Sequence, residues 1–292
     1  YAVRRGVKLV HATKAVAIVG LYPTLSSIEV AERVARVTGV DFYPYLHDTV
    51  AEGLECTKFA VRAKLVQSQV FKTAVKIITM SQGMTELYKL LYGITTYPLE
   101  HSYPEKINTE PNFNRNKNGF WGGEVYNIND KGFERVQDAL SELNTQLTVT
   151  SLSPLKVKNS TNLFQTFYPS RHDYIKAVSS HGILILSINW PDECEINEHE
   201  LATIFPTKTV EYLAMGGPIL VHCPEYYFLA KFFEEHKCGV VVSSREPEDI
   251  LNSIKLLQSQ SKSVQEIQRR AIKVMALFEL SSIQKKFETI LS

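Results

Sequence analysis

The residues best spaced for chemistry lie in one stretch, Phe205-Pro206-Thr207-Lys208-Thr209-Val210-Glu211-Tyr212-Leu213-Ala214-Met215-Gly216-Gly217-Pro218-Ile219-Leu220-Val221. Pro206 suits a first helical turn, where its missing N–H leaves nothing unpaired. A helix start there would present free backbone N–H groups and about half a positive charge to an anion such as a diphosphate. Thr207 and Lys208 fall in that turn, and Lys208 adds a full charge. Glu211, three residues on, shares its face, and a carboxylate there can accept two hydrogen bonds from a ribose diol. The same spacing also describes a surface ion pair between Lys208 and Glu211 on an amphipathic helix, and periodicity does not separate the two.

Two other places have the right types. Gly122 and Gly123 follow a predicted strand in Phe120-Trp121-Gly122-Gly123-Glu124-Val125-Tyr126-Asn127-Ile128-Asn129. Glycines there let a bulky anion approach the backbone, or simply make a tight turn. His47 and Asp48 close the predicted strand 40–46, at the strand end where open α/β sheets place ligands. His47 could donate to a hydroxyl or move a proton; alternatively Asp48 caps a strand-end histidine. His11 also ends a predicted strand, at 7–10.

The elements that would position these residues alternate along the chain. Strands are expected at 7–10, 40–46 and 75–80, with helices at 26–37 (ended by Gly39), 56–73 and 81–92, the last capped by Ser81 and stopped by Gly93. Residues 101–118 hold two prolines and several asparagines without apolar periodicity, which makes them the best domain boundary. Beyond it, strands are expected at 119–125, 147–152, 182–188, 218–221 and 239–242. Helices are expected at 130–143, 171–180, 206–215 and 225–236, and from 246 to the end. Short strands alternating with helices mean parallel βαβ units. The expected organisation is α/β in two domains, 1–110 and 118–292.

Composition narrows the function. With 292 residues, 44% of them hydrophobic, the chain is long enough for about two domains. Its 32 Lys and Arg against 31 Asp and Glu lack the basic excess of a nucleic-acid binder. The first 110 residues carry 13 basic and 10 acidic groups, a bias compatible with weak peripheral contact at an acidic membrane. No apolar run approaches the roughly 20 residues that span a bilayer. The four cysteines are scattered, as in a cytoplasmic protein with reduced thiols. No Asp-x-Asp, GxxxxGK[ST], GxGxxG or GxSxG occurs, so no metal, kinase, dehydrogenase or hydrolase motif is present.

The stretch 206–220 resembles the donor-site motif of group 1 glycosyltransferases, P-x-K-x-x-E-Y-L-A-x-G-x-P-I-L, with Lys208 and Glu211 at its lysine and glutamate. Residues 120–129 are similar to the family's first C-domain strand and glycine turn. Cys238-Gly239-Val240-Val241-Val242 is similar to its C-G-x-x-V strand, and Thr79-Met80-Ser81-Gln82-Gly83-Met84 to its S-E-G-M turn, where Ser81 reads as structural. The resemblance implies the GT-B type: two Rossmann-like domains with parallel sheets facing across a cleft, the N-terminal one incomplete at its start. It implies transfer of a sugar from a nucleotide diphosphate sugar to a growing polysaccharide, glycan or lipid-linked acceptor. Neither metal nor cofactor would be needed, and the work would be cytoplasmic, or peripheral on the inner membrane face. Gly122, Gly123, Thr207, Lys208 and Glu211 would bind the donor, with His47 and Asp48 as the catalytic pair on the acceptor side and the base read between Thr150 and Ser170.

Two features depart from the family. Thr203 stands where many retaining members have a glutamate eight residues before Glu211; Glu195, Glu198 and Glu200 lie nearby in what reads as an exposed acidic loop. Relative to the family, the opening strand and glycine turn of the N-domain are expected to be absent from this sequence. A decayed transferase that binds nucleotide or a partner, and a sugar-nucleotide epimerase or phosphorylase of the same fold, therefore stay open.

Overall fold

The computed structural model describes residues 1–104, 110–155 and 162–292. The chain divides into two compact units. The first comprises Tyr1–His101, Ile196–Ile204 and Ile283–Ser292, the second Ser102–Glu195 and Phe205–Ser282. The units are thus not the contiguous stretches 1–110 and 118–292: two later segments return to the first unit.

The first unit runs α1 (Ala2–Thr13), β1 (Ala17–Tyr22), α2 (Leu25–Thr38), β2 (Asp41–Leu46), α3 (Ala60–Thr73), β3 (Ile77–Thr79), α4 (Gln82–Tyr92) and β4 (Thr96–Pro98). The strands form a parallel sheet in the order β1-β2-β3-β4. Thr24 and Ser81 cap α2 and α4 by accepting from Ser27 N and Met84 N, both at 3.2 Å. Gly39 and Gly93 end these helices at φ +72° and +66°. One correction concerns 7–10, which is helical rather than a strand. Val3, Val7 and Val10 recur at helical spacing on the less exposed face of α1, a period that a four-residue run cannot reveal. His11 is therefore exposed on a helix and ends no strand. The first strand is the apolar run that follows, β1.

The second unit continues with β5 (Gly119–Gly122), α5 (Asp130–Glu142), β6 (Leu147–Thr150), β7 (Leu163–Thr166), α6 (Arg171–Ser180) and β8 (Ile183–Ser187). After α7 (Glu198–Thr203), which belongs to the first unit, come α8 (Lys208–Ala214), β9 (Ile219–His222), α9 (Phe228–His236), β10 (Val240–Val242), α10 (Pro247–Gln258), α11 (Lys262–Val274) and α12 (Leu280–Leu291), the last returning to the first unit from Ile283 on. Its parallel sheet has the order β10-β9-β8-β5-β6-β7. The central strand β8 is buried throughout, as a parallel strand covered on both faces must be. Trp121, Phe133, Ile183, Ile185, Leu220 and Ile254 form its core. Among the described residues no helix is long and apolar enough to cross a membrane.

The predicted boundary region is anchored by a buried cation. Arg115 donates to the carbonyls of Asn112, Val178, His181 and Met215, and so joins the chain ends of α6 and α8. Burial lowers its guanidinium to about 10.

Candidate donor site

At the end of β5 the backbone of Gly122 is held from both sides. Its N–H donates to Tyr212 Oη at 2.7 Å, and its carbonyl accepts from Lys208 Nζ at 2.8 Å. A Cβ at position 122 would stand 2.7 Å from Tyr174 Oη and 2.9 Å from Tyr212 Oη, so only glycine fits beneath the two phenols. Gly123 follows at φ +89° with open space above its Cα, and its N–H donates to Thr150 Oγ1 at 2.9 Å. Glu124 accepts from Ser151 Oγ (2.6 Å) and Leu152 N (2.9 Å), which ties the glycine turn to the end of β6 and holds that carboxyl low.

The start of α5 is capped from a distance. Asn189, after β8, accepts from Lys131 N and Gly132 N and donates to Asn127 O and Asp130 Oδ1. The local candidate, Asn129, instead accepts from Tyr126 N at 2.9 Å. One side chain thereby fixes the end of the 122–130 loop to the start of α5.

Lys208 and Glu211 do not form the ion pair that their spacing allows. The Lys208 ammonium, half-buried, lies 4.5 Å over the Trp121 ring besides bonding Gly122 O. Burial lowers it to about 8, opposed by Glu211. Glu211 pairs with Arg171 and accepts from Tyr174 Oη at 3.1 Å. Tyr174 is raised first by burial and then by Glu211, so it stays a donor. Gly122, Tyr174 and the Lys208–Glu211 segment, three stretches distant in sequence, are thus joined by direct contacts. Beside them Trp121 Nε1 and Thr209 Oγ1 are buried without a hydrogen-bond partner. Thr207 is exposed, and as N-cap of the seven-residue α8 its side chain caps no amide. The helix begins at Lys208, two residues later than its proline predicts.

Sequence reasoning missed Arg171, Tyr174 and Thr150. Tyr212 lay within the motif but drew no role; its position one residue after Glu211 was the available signal. Residues 156–161, part of the expected base-reading stretch, lie outside the described residues.

His47 and Asp48 sit in the first unit, just after β2. Among the described residues no hydrogen bond joins their side chains, so the capping alternative has no contact behind it. His47 lies 4.4 Å from the Tyr45 ring and 5.5 Å from His101, which carried no pattern in sequence. Burial lowers both imidazoles, His101 to about 4, so both are neutral at pH 7. Among the described residues no group of three or more His, Cys, Asp or Glu is placed to hold a metal.

No family model matches the chain, and no curated protein matches it in sequence. Solved structures do match in fold. Anabaena HepE in complex with UDP superposes with a TM-score of 0.73 at 14% identity, over 99% of this chain and 81% of that one. The fold is of the GT-B type. Staphylococcus aureus TarM gives a TM-score of 0.70 at 12% identity, over 99% of this chain and 58% of its own. The lipopolysaccharide outer core galactosyltransferase WaaB gives 0.63 at 12% identity, over 99% and 78%.

Proposed function

We propose that this chain transfers a sugar from a nucleotide diphosphate sugar to a glycan or lipid-linked acceptor without a resident metal. The observation that carries the reading is the meeting of the Lys208 ammonium, the Gly122 backbone and the Glu211 carboxylate at the end of β5. HepE has been seen with UDP and with UDP-glucose, and a TarM variant with UDP, which makes UDP the first probe.

In the reaction the bond from the sugar's anomeric carbon to the diphosphate oxygen breaks, and an acceptor hydroxyl forms the new bond. Negative charge grows on the departing diphosphate. Lys208 would stabilise it, a preorganised electrostatic effect of the kind that dominates many enzymes, and the open space over Gly123 would let the diphosphate approach the turn. Glu211 uses one lone pair on each oxygen for Arg171 and Tyr174, which leaves acceptor capacity for a ribose diol. The acceptor's proton would pass to neutral His47, with Asp48 supporting the imidazolium. A lipid-linked acceptor would bring the protein into peripheral contact with the inner membrane face.

Thermal unfolding with UDP, GDP, dTDP and CMP, in chelator, tests the reading. A nucleotide at about 100 times its Kd should add about 2.7 kcal/mol. The gain should appear with one nucleoside diphosphate and fall by about half or more in Glu211→Ala. Indifference to all four would refute the donor site.

A further inference from the structure

The stretch with Glu195, Glu198 and Glu200 reads as an exposed acidic loop, and Glu195 and Glu198 are indeed exposed. Glu200 is not. The segment, flanked in sequence by second-unit residues, packs with the first unit at the ends of β1, β2 and β3. Leu201 is fully buried, Ser81 Oγ donates to Thr203 O at 3.1 Å, and Asn197 Nδ2 donates to Glu55. The central tie is Glu200, whose Oε2 accepts from Thr49 N at 3.0 Å and from the Thr49 hydroxyl.

The surroundings of that carboxyl disfavour its charge. From the loop after β2 come Asp48 and Glu52, from β1 Tyr22, and from α4 Tyr88. Glu52 is itself buried: one oxygen accepts from Gln67 Nε2 and Tyr92 Oη, and the other has no partner. His47 bears on Asp48, while Glu55 is balanced by Lys64 at 3.2 Å. On α7 itself Glu198 and His199 face solvent. Among the described residues no cation pairs with Asp48, Glu52 or Glu200. Burial first, then the charges of Asp48 and Glu52, raise Glu200 to about 7 against the opposing Thr49 hydrogen bonds.

We propose that residues 196–204 form a proton-operated latch on the strand ends of the four-stranded sheet, seated through protonated Glu200 and released as that carboxyl ionises. The inference stands apart from the nucleotide reading. In the released segment Glu200 meets water and titrates near its ordinary 4.5. A raised carboxyl favours the seated state at low pH. Seating is complete below about 4.5, weakens about tenfold per pH unit above it, and levels off past about 7, roughly 300-fold in all. The latch lies beside His47 and Asp48, so its release would uncover that end of the sheet.

Hydrogen–deuterium exchange of the intact chain from pH 5.5 to 8, corrected for the intrinsic pH dependence of exchange, tests this on peptides covering 196–204 and Thr49. In the native chain the opening constant should rise more than tenfold over that range, and in Glu200→Gln it should stay flat. A flat native profile, or an equal rise in Glu200→Gln, overturns the proposal. If Glu200→Gln does not fold, Asp48→Asn decides. Asp48 is exposed, and its loss removes a like charge and should shrink the rise; an unchanged profile then overturns the latch.

Discussion

Replacing Lys208 by methionine separates a binding lysine from a structural one. Burial lowers Lys208 from 10.5 to about 8, so at pH 7 the folded chain bears about 3 kcal/mol to keep the ammonium charged. Methionine, of similar length, removes that cost. It forfeits the hydrogen bond to Gly122 O, about 1 kcal/mol, and the contact with the Trp121 ring, about 1 kcal/mol. The variant should therefore be about as stable as the native chain at pH 7, or more stable by about 1 kcal/mol. The native chain should itself gain stability from pH 8 towards 10.5. There the folded lysine has lost its proton while the unfolded one retains it, and stability rises with pH wherever the unfolded state binds more protons. Loss of a charge-assisted phosphate contact of about 1.5–3 kcal/mol should weaken UDP binding by about 10- to 150-fold. Denaturant unfolding and titration calorimetry measure the two effects. A variant that loses 2 kcal/mol or more of stability yet binds UDP like the native chain would refute the reasoning and make Lys208 a structural residue.

Gly122→Ala should cost about 2–4 kcal/mol, because its methyl group displaces Tyr174 or Tyr212 and breaks a hydrogen bond of the site; the thermal midpoint should fall and UDP protection with it. Arg115→Met should cost about 3–5 kcal/mol in denaturant unfolding, since it strips one donor group from four carbonyls. Glu211→Ala should weaken UDP about tenfold or more while leaving inorganic pyrophosphate binding unchanged, because the carboxylate is assigned to the ribose and not to the phosphates; calorimetry with both ligands checks it.

The sequence showed most clearly those elements whose ends carry their own signals. Helices α2 and α4 end at Gly39 and Gly93 and α4 begins at Ser81, as expected, because capping chemistry is local. Where the deciding partner was distant, the reading failed or stayed open. Helix α1 shows its period only once Val3 is included, whereas α5 starts at Asp130 as expected although its cap, Asn189, lies about sixty residues on. The three-residue strand β4 is too short for any alternation to show. At the candidate site, Lys208, Glu211 and Gly122 were legible as types in a string. Their true partners, Trp121, Arg171, Tyr174 and Tyr212, are contacts of the tertiary fold. Glu200 was indistinguishable from Glu195 and Glu198 until Thr49 was found beneath it.

The three-part composition of the first unit sets a timetable for its folding. Its sheet face at Tyr43, Ile78 and Leu99 is covered by Ile283, Phe287 and Ile290, spaced along α12. The 184 positions from Leu99 to Ile283 take about 10 to 40 s to synthesise at about 5–20 residues per second. Through that interval the newly made sheet presents its apolar side to solvent. Synthesis cannot finish the first unit before the second; β1 to β4 wait for α12. Until then the nascent chain is a natural client for chaperones, and a fragment ending near His101 would emerge with that face bare and prone to aggregate.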